Sequence, residues 1–178
     1  QVQVSAFDPT PAQVGPLPIG GRKLRRDVED RMVAQAAEAC GSALNKEYKR
    51  GTKLGIISSS GAALPCLDAF PEASVLKLGW AWPFPDELIR DFASRMDRIA
   101  VIEEGDPILE EHVKSLGIAC DGKNVVPRCG ELTPLVIQGV KARLEGTEVP
   151  VSTPVADAND LPGRPPMLCA GCPQRGVF

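Results

Sequence analysis

Aromatic side chains are scarce in this sequence: Phe, Trp and Tyr together make up 4% of 178 residues. A core so short of rings has to be filled by Ile, Val, Leu and Ala, which suits an α/β domain. Histidine is rarer still, with His112 standing alone. No apolar run approaches the roughly 20 residues that cross a bilayer, and no charged-then-apolar stretch opens the sequence. The expectation is a cytoplasmic protein without membrane contact. Neither sign of charge dominates: 20 basic residues face 23 acidic ones for a net charge of −3. That leaves no electrostatic footprint for nucleic acid or anionic lipid.

Enough remains for one well-packed domain with extra segments, since 43% of the residues are apolar. Cys40, Cys66, Cys120, Cys129, Cys169 and Cys172 read as thiols rather than a disulfide framework. The chain starts at Gln1 without a methionine and stops at Phe178 just after a Gly- and Cys-rich motif. It therefore reads as a piece of a longer chain.

Residues 1–21 carry Pro9, Pro11, Pro16, Pro18, Gly15, Gly20 and Gly21, a linker composition. Residues 24–49 are rich in helix formers, with Val28, Met32, Ala36, Ala39 and Ala43 near helical spacing, and predict a helix interrupted near Gly41. From there apolar runs alternate with amphipathic stretches, the pattern of βαβ units and a largely parallel sheet. Strands are expected over 54–57, 74–78 and 98–103, with a weaker run near Ile118. Helices are expected over 62–70 and 86–96. A further helix is opened by Pro107 and capped by Asp106, with Val113 and Leu116 on its buried face. The closing helix over 132–144 is expected to turn Leu135, Val136, Val140 and Leu144 inward. After Gly146 the composition is again that of a linker.

Ser58, Ser59, Ser60 and Gly61 form a turn where a strand ends and a helix begins, a place suited either to phosphate or another acidic group, or to plain capping. Glu103, Glu104 and Asp106 cluster near His112. Such a set can hold metal or move protons, but the spacing fits no metal signature, and His112 lies in a stretch that reads as a solvated helix face. Trp80, Trp82 and Phe84 share a proline-bounded loop that serves equally as an interface anchor or as a cover over the sheet edge. Cys169-Ala170-Gly171-Cys172-Pro173 carries the strongest local chemistry. Two cysteines with two residues between them can grip one iron of a cluster or a zinc, which is half a site; a thiol-lined turn without metal is the other reading, and the one the residues favour.

The run from Gly163 to Phe178 resembles the opening of the thiamine-diphosphate domain in large subunits of indolepyruvate ferredoxin oxidoreductases. Upstream, Ser74-Val75-Leu76-Lys77-Leu78-Gly79 with Pro83 and Pro85, then Ile102-Glu103-Glu104-Gly105-Asp106-Pro107, then Gly130-Glu131-Leu132-Thr133-Pro134, resemble the same family in the same order. The resemblance covers about residues 50–178.

It implies a three-layer α/β fold with a mainly parallel sheet flanked by helices, of the transketolase C-terminal type, with linkers at both ends. Residues 1–50 would be linker and connecting helix, 51–146 the α/β domain, 147–162 a linker and 163–178 the start of the diphosphate-binding domain. The family oxidatively decarboxylates arylpyruvates with coenzyme A and reduces ferredoxin. The implied cofactors are thiamine diphosphate, Mg²⁺ and a [4Fe-4S] cluster. By the same resemblance Cys169 and Cys172 are metal ligands, while Gly171, Gln174 and Arg175 face cofactor. The implied partners are other domains or subunits of the enzyme, ferredoxin, coenzyme A and a 2-oxoacid. The family usually has a histidine where this chain has Gln174, which hydrogen-bonds but does not shuttle protons near neutral pH. No catalytic residue is expected in this stretch, which by itself should be inactive. The rival expectation is a non-catalytic transketolase-like module that docks onto separate catalytic chains.

Overall fold

The computed structural model describes residues 18–149. In chain order the elements are helix α1 (Pro18–Cys40), strands β1 (Lys46–Tyr48) and β2 (Gly51–Ser59), a 3₁₀ turn (Ser60–Ala62), α2 (Ala63–Ala69), β3 (Ala73–Leu78), α3 (Asp86–Ser94), β4 (Ile99–Ile102), α4 (Ile108–Ser115) and α5 (Pro134–Glu145). The strands form one sheet in the order β1-β3-β2-β4. β2 runs parallel to both β3 and β4, while β1 lies antiparallel to β3 at the edge.

Alternation along the strands splits the core in two, because successive side chains of a strand point to opposite faces. Ile56, Val75, Ala100 and Ile102 face Cys66 of α2 and Phe70 at its end, and Ile137, Val140 and Leu144 of α5. Ile57, Leu76, Leu78, Ile99 and Val101 face Ile89 and Phe92 of α3, and Leu109 and Val113 of α4. A sheet with helices on both faces is the three-layer α/β arrangement expected from the sequence.

Two segments depart from expectation. α1 begins at Pro18, inside the stretch with linker composition, and ends at Cys40. Proline is compatible with a first helical turn, where its missing N–H has no intrahelical role. The residues beyond Gly41 do not resume the helix. Lys46, Glu47 and Tyr48 instead pair with Lys77, Leu76 and Val75. Asn45 fixes this change of direction: its side-chain amide donates to the Ala39 carbonyl at 2.8 Å, and its Oδ1 accepts from the N–H groups of Gly79 at 2.9 Å and Trp80 at 2.8 Å. The weak strand near Ile118 reduces to a single parallel bridge between Ala100 and Asp121.

α5 is closed at both ends by its own sequence. Thr133 is the N-cap, with Pro134 in the first turn, and Gly146 takes the left-handed conformation at the C-cap with φ 67°, a position that favours glycine. Val140 and Leu144 are buried as expected and Val136 is half-buried, but Leu135 points outward and Ile137 takes the inward place.

Candidate functional site

β2 and β4 are neighbours whose following helices leave on opposite faces: α2 packs with one core cluster and α4 with the other. In open α/β sheets, the crevice at the carboxyl end of such a strand pair is where ligands bind. Here the polar groups are bonded to the chain itself. Buried Ser58 donates its hydroxyl to the Ile102 carbonyl at 2.6 Å, bridging the ends of β2 and β4. The residue after β4, buried Glu103, accepts the backbone N–H groups of Leu109 and Glu110, each at 2.9 Å.

The carboxylate thus caps α4, satisfying donors that a helix start leaves without partners and placing negative charge at the positive end of the helix. The expected cap, Asp106, makes no side-chain cap bond, and Pro107 rather than Asp106 occupies the N-cap position. The serine turn is likewise no side-chain cap: Ser59 makes no capping bond to the 3₁₀ turn. Ser60 adopts a positive φ of 55°.

The acidic residues near His112 do not converge on it. Glu104 accepts the Leu132 N–H at 2.9 Å, and Asp106 faces Arg128 at 3.9 Å. His112 is not on a solvated face but half-buried, stacked on Phe84 with ring centroids 4.0 Å apart and with Nε2 2.7 Å from Asp86 Oδ1. Phe84 in turn meets Trp82 edge-on at 5.3 Å. The aromatic loop therefore divides its work. Phe84 packs into the core on the α3–α4 side, while Trp82 is left 67% exposed.

A charge network centred on buried Glu110 of α4 joins that helix to the loop after it. Glu110 is 6% exposed; it accepts from Lys114 Nζ at 2.5 Å and from the Lys123 N–H at 2.8 Å. Burial acts to raise its pKa, but the bonds from Lys114 and Lys123 outweigh that and hold the carboxyl below its ordinary value. Lys123 Nζ also donates to the Glu103 carbonyl at 2.5 Å, joining this network to the cap. On the sheet's outer edge, Asp121 is held below its ordinary value in the same way, with Arg98 and Asn124 overcoming burial.

Among the described residues the cysteines are unpaired thiols in four separate settings. Burial pushes Cys66 up to about 12 and Cys120 up to about 11. Cys40 is half-buried and Cys129 exposed. Among the described residues no three His, Cys, Asp or Glu side chains gather closely enough to hold one ion, and no helix is long and apolar enough to cross a membrane. The candidate ligands Cys169 and Cys172, and Gly171, Gln174 and Arg175, lie outside the described residues.

This is the fold of a domain found in 2-oxoacid:ferredoxin oxidoreductases. The chain superposes on the 2-oxoglutarate:ferredoxin oxidoreductase of Magnetococcus marinus with a TM-score of 0.55 over 74% of this chain and 24% of that one, at 14% identity. Sequence adds a closer kinship. The chain is 33% identical over 186 aligned residues to indolepyruvate oxidoreductase subunit IorA of Methanothermobacter thermautotrophicus, covering 97% of this chain and 30% of that protein. It is 34% identical over 116 residues to the subunit of the same name from Pyrococcus horikoshii, covering 58% of this chain and 18% of that protein. The resemblance carried by the strand-end motifs, to large subunits of indolepyruvate ferredoxin oxidoreductases, is thus borne out along nearly the whole chain. The chain spans about 30% of the length of the first of these relatives. No family model matches it.

Proposed function

We propose that this chain is a region of the large subunit of a 2-oxoacid:ferredoxin oxidoreductase, an enzyme that oxidatively decarboxylates an arylpyruvate such as indolepyruvate to an acyl-CoA and passes the electrons to ferredoxin. The observation that carries the reading is the 33% identity to an indolepyruvate oxidoreductase subunit over 97% of this chain.

Within that enzyme, residues 51–146, with edge strand β1 added to their sheet, are the transketolase C-terminal-like domain, 147–162 a linker and 163–178 the first part of the diphosphate-binding domain. The α/β unit supports assembly and positions its neighbours rather than reacting with substrate. Three features of its strand ends support a supporting role: Ser58 is spent on Ile102, Glu103 on the start of α4, and Glu104 on Leu132. Groups already committed to holding the backbone are poor candidates for acid–base work on a substrate.

The chemistry of the donor set at the other end fits the cofactors of the reading. Cys169 and Cys172, with Gly171 between them, would supply two thiolates to one iron of a [4Fe-4S] cluster, with further ligands from elsewhere. Gly171, Gln174 and Arg175 would face the cofactor. Thiamine diphosphate with Mg²⁺, bound elsewhere in the enzyme, would supply the carbanion chemistry of the decarboxylation.

The test is a substrate panel on the assembled enzyme, under anaerobic conditions with coenzyme A and ferredoxin. Indolepyruvate and phenylpyruvate should support ferredoxin reduction, and Cys172→Ser should diminish the cluster's electron paramagnetic resonance signal. Reduction by neither arylpyruvate would remove the substrate assignment, and an unchanged cluster signal in Cys172→Ser would remove the ligand assignment.

A further inference from the structure

The helices that follow the parallel strands all start at the carboxyl edge of the sheet, and large apolar side chains stand exposed at those starts. Leu64 is the second residue of α2, Ile108 the first of α4 and Leu135 the second of α5, and Trp82 lies in the loop between β3 and α3. Their exposures are 59, 66, 44 and 67% respectively. Side-chain contacts tie these segments together: Ser58 to Ile102, Glu104 to Leu132, Asp106 to Arg128, and Trp82 through Phe84 to His112 of α4. Single exposed apolar residues need no explanation, whereas several gathered at one edge mark a place where another surface packs.

The turns and helix starts at this edge are predominantly acidic. Glu87, Glu104, Asp106, Glu111 and Glu131 are all exposed around it. In the turns between strand ends and helix starts, Arg128 is the one cation with an exposed side chain, and it already faces Asp106. An apolar centre with an acidic rim is the anatomy of a protein interface rather than of a small-molecule cleft, and Ser58 and Glu103 at the crevice are bonded to the chain itself. Two copies of this edge would set acidic rim against acidic rim, which disfavours pairing with itself.

We infer that the carboxyl edge of the sheet, centred on Trp82 and Ile108 and rimmed by Asp106 and Glu131, docks a protein surface with an apolar centre and a lysine- and arginine-rich rim, belonging to another domain of the same oxidoreductase. The inference rests on the functional reading above. The matched stretch makes up 30% of the indolepyruvate oxidoreductase subunit it resembles, so in that relative the corresponding unit has other domains beside it.

Carbodiimide joins carboxylates to lysines only where they already touch, so cross-linking of the complete assembled enzyme followed by peptide sequencing tests this edge directly. Asp106 and Glu131 should join to lysines outside residues 18–149. Trp82→Ala combined with Ile108→Ala should reduce those cross-links by roughly tenfold, as expected for the loss of buried anchors. Amide-exchange protection of the paired strands β2 and β4 should be unchanged in both proteins, which reports that the unit is still folded. Cross-links from Asp106 or Glu131 to a second copy of residues 18–149, or none while that protection persists, would overturn the inference. Arylpyruvate-dependent ferredoxin reduction by the same preparation separates the two claims: activity without the cross-links removes the docking edge alone, and inactivity with the cross-links removes the enzymatic reading alone.

Discussion

The Glu103 carboxylate accepts the Leu109 backbone N–H at 2.9 Å, six residues along the chain, and so fixes the start of α4 to the end of β4. A second bond to the Glu110 N–H makes this a double cap from a buried, charged acceptor. Glu103→Ala removes both bonds and leaves buried donors without partners, at a cost of about 2–3 kcal/mol. Glu103→Gln keeps an acceptor without the charge and should cost about 1 kcal/mol. Urea unfolding of the two variants beside the parent checks the order. Equal stability of all three would show that the cap contributes nothing.

Asn45 joins the end of α1 to the loop after β3 through three hydrogen bonds. Asn45→Ala is expected to cost about 1–2 kcal/mol. Its amide exchange signature should be local: faster exchange at Gly79 and Trp80, with the β2–β4 pairing unchanged. Global acceleration would mean that Asn45 holds more than this corner.

Acid should weaken the fold through Glu110 and Asp121. Both carboxyls are held below their ordinary values in the folded chain, Glu110 by Lys114 and Lys123 against its burial, and Asp121 by Arg98 and Asn124 against its own. A depressed folded pKa contributes stability that is present above the unfolded value and is lost as pH falls through the folded one. Stability should therefore be level near neutrality and decline below about pH 4, the usual carboxylate range. Glu110→Gln and Asp121→Asn should each lower stability at pH 7 and flatten the acid limb. An acid limb as steep in the double variant as in the parent would contradict the assignment.

Thiol reactivity should separate the cysteines by burial. With Cys66 pushed up to about 12 and Cys120 up to about 11, almost no thiolate is present at either near neutrality. Since the thiolate is the nucleophile, iodoacetamide at pH 7.5 should, among the cysteines of residues 18–149, label exposed Cys129 first and Cys66 only on unfolding. The raised folded pKa of Cys66 contributes stability that is intact below its ordinary value of 9.0 and is lost as pH rises from there toward about 12. Early labelling of Cys66 by peptide mapping would mean that the α2 side of the core opens readily.

The parallel part of the fold was legible because β2, β3 and β4 are buried on both faces and so appear as continuous apolar runs. β1 was not, since Lys46-Glu47-Tyr48 is a short polar edge strand whose place depends on β3 rather than on its own pattern. The start of α1 was hidden by Pro18, Gly20 and Gly21, which carry linker composition into a helix. At the strand ends, the sequence marked the right residues and gave the wrong partners. Glu103, Glu104, Asp106 and His112 look like one cluster when written in a line, yet Glu103 turns to the start of α4, Glu104 to Leu132, Asp106 to Arg128 and His112 to Asp86. Those choices are made by tertiary contacts, which residue spacing does not encode. The motif around Cys169 and Cys172 lies outside the described residues.

Acyl-CoA formation coupled to ferredoxin reduction decides whether this chain serves a 2-oxoacid:ferredoxin oxidoreductase. The complete enzyme, supplied with thiamine diphosphate, Mg²⁺, coenzyme A, ferredoxin and indolepyruvate in the absence of oxygen, should form indoleacetyl-CoA while ferredoxin becomes reduced, and should do neither without coenzyme A. A correctly folded, cofactor-loaded enzyme that forms no acyl-CoA from any 2-oxoacid and leaves ferredoxin oxidised would contradict the account.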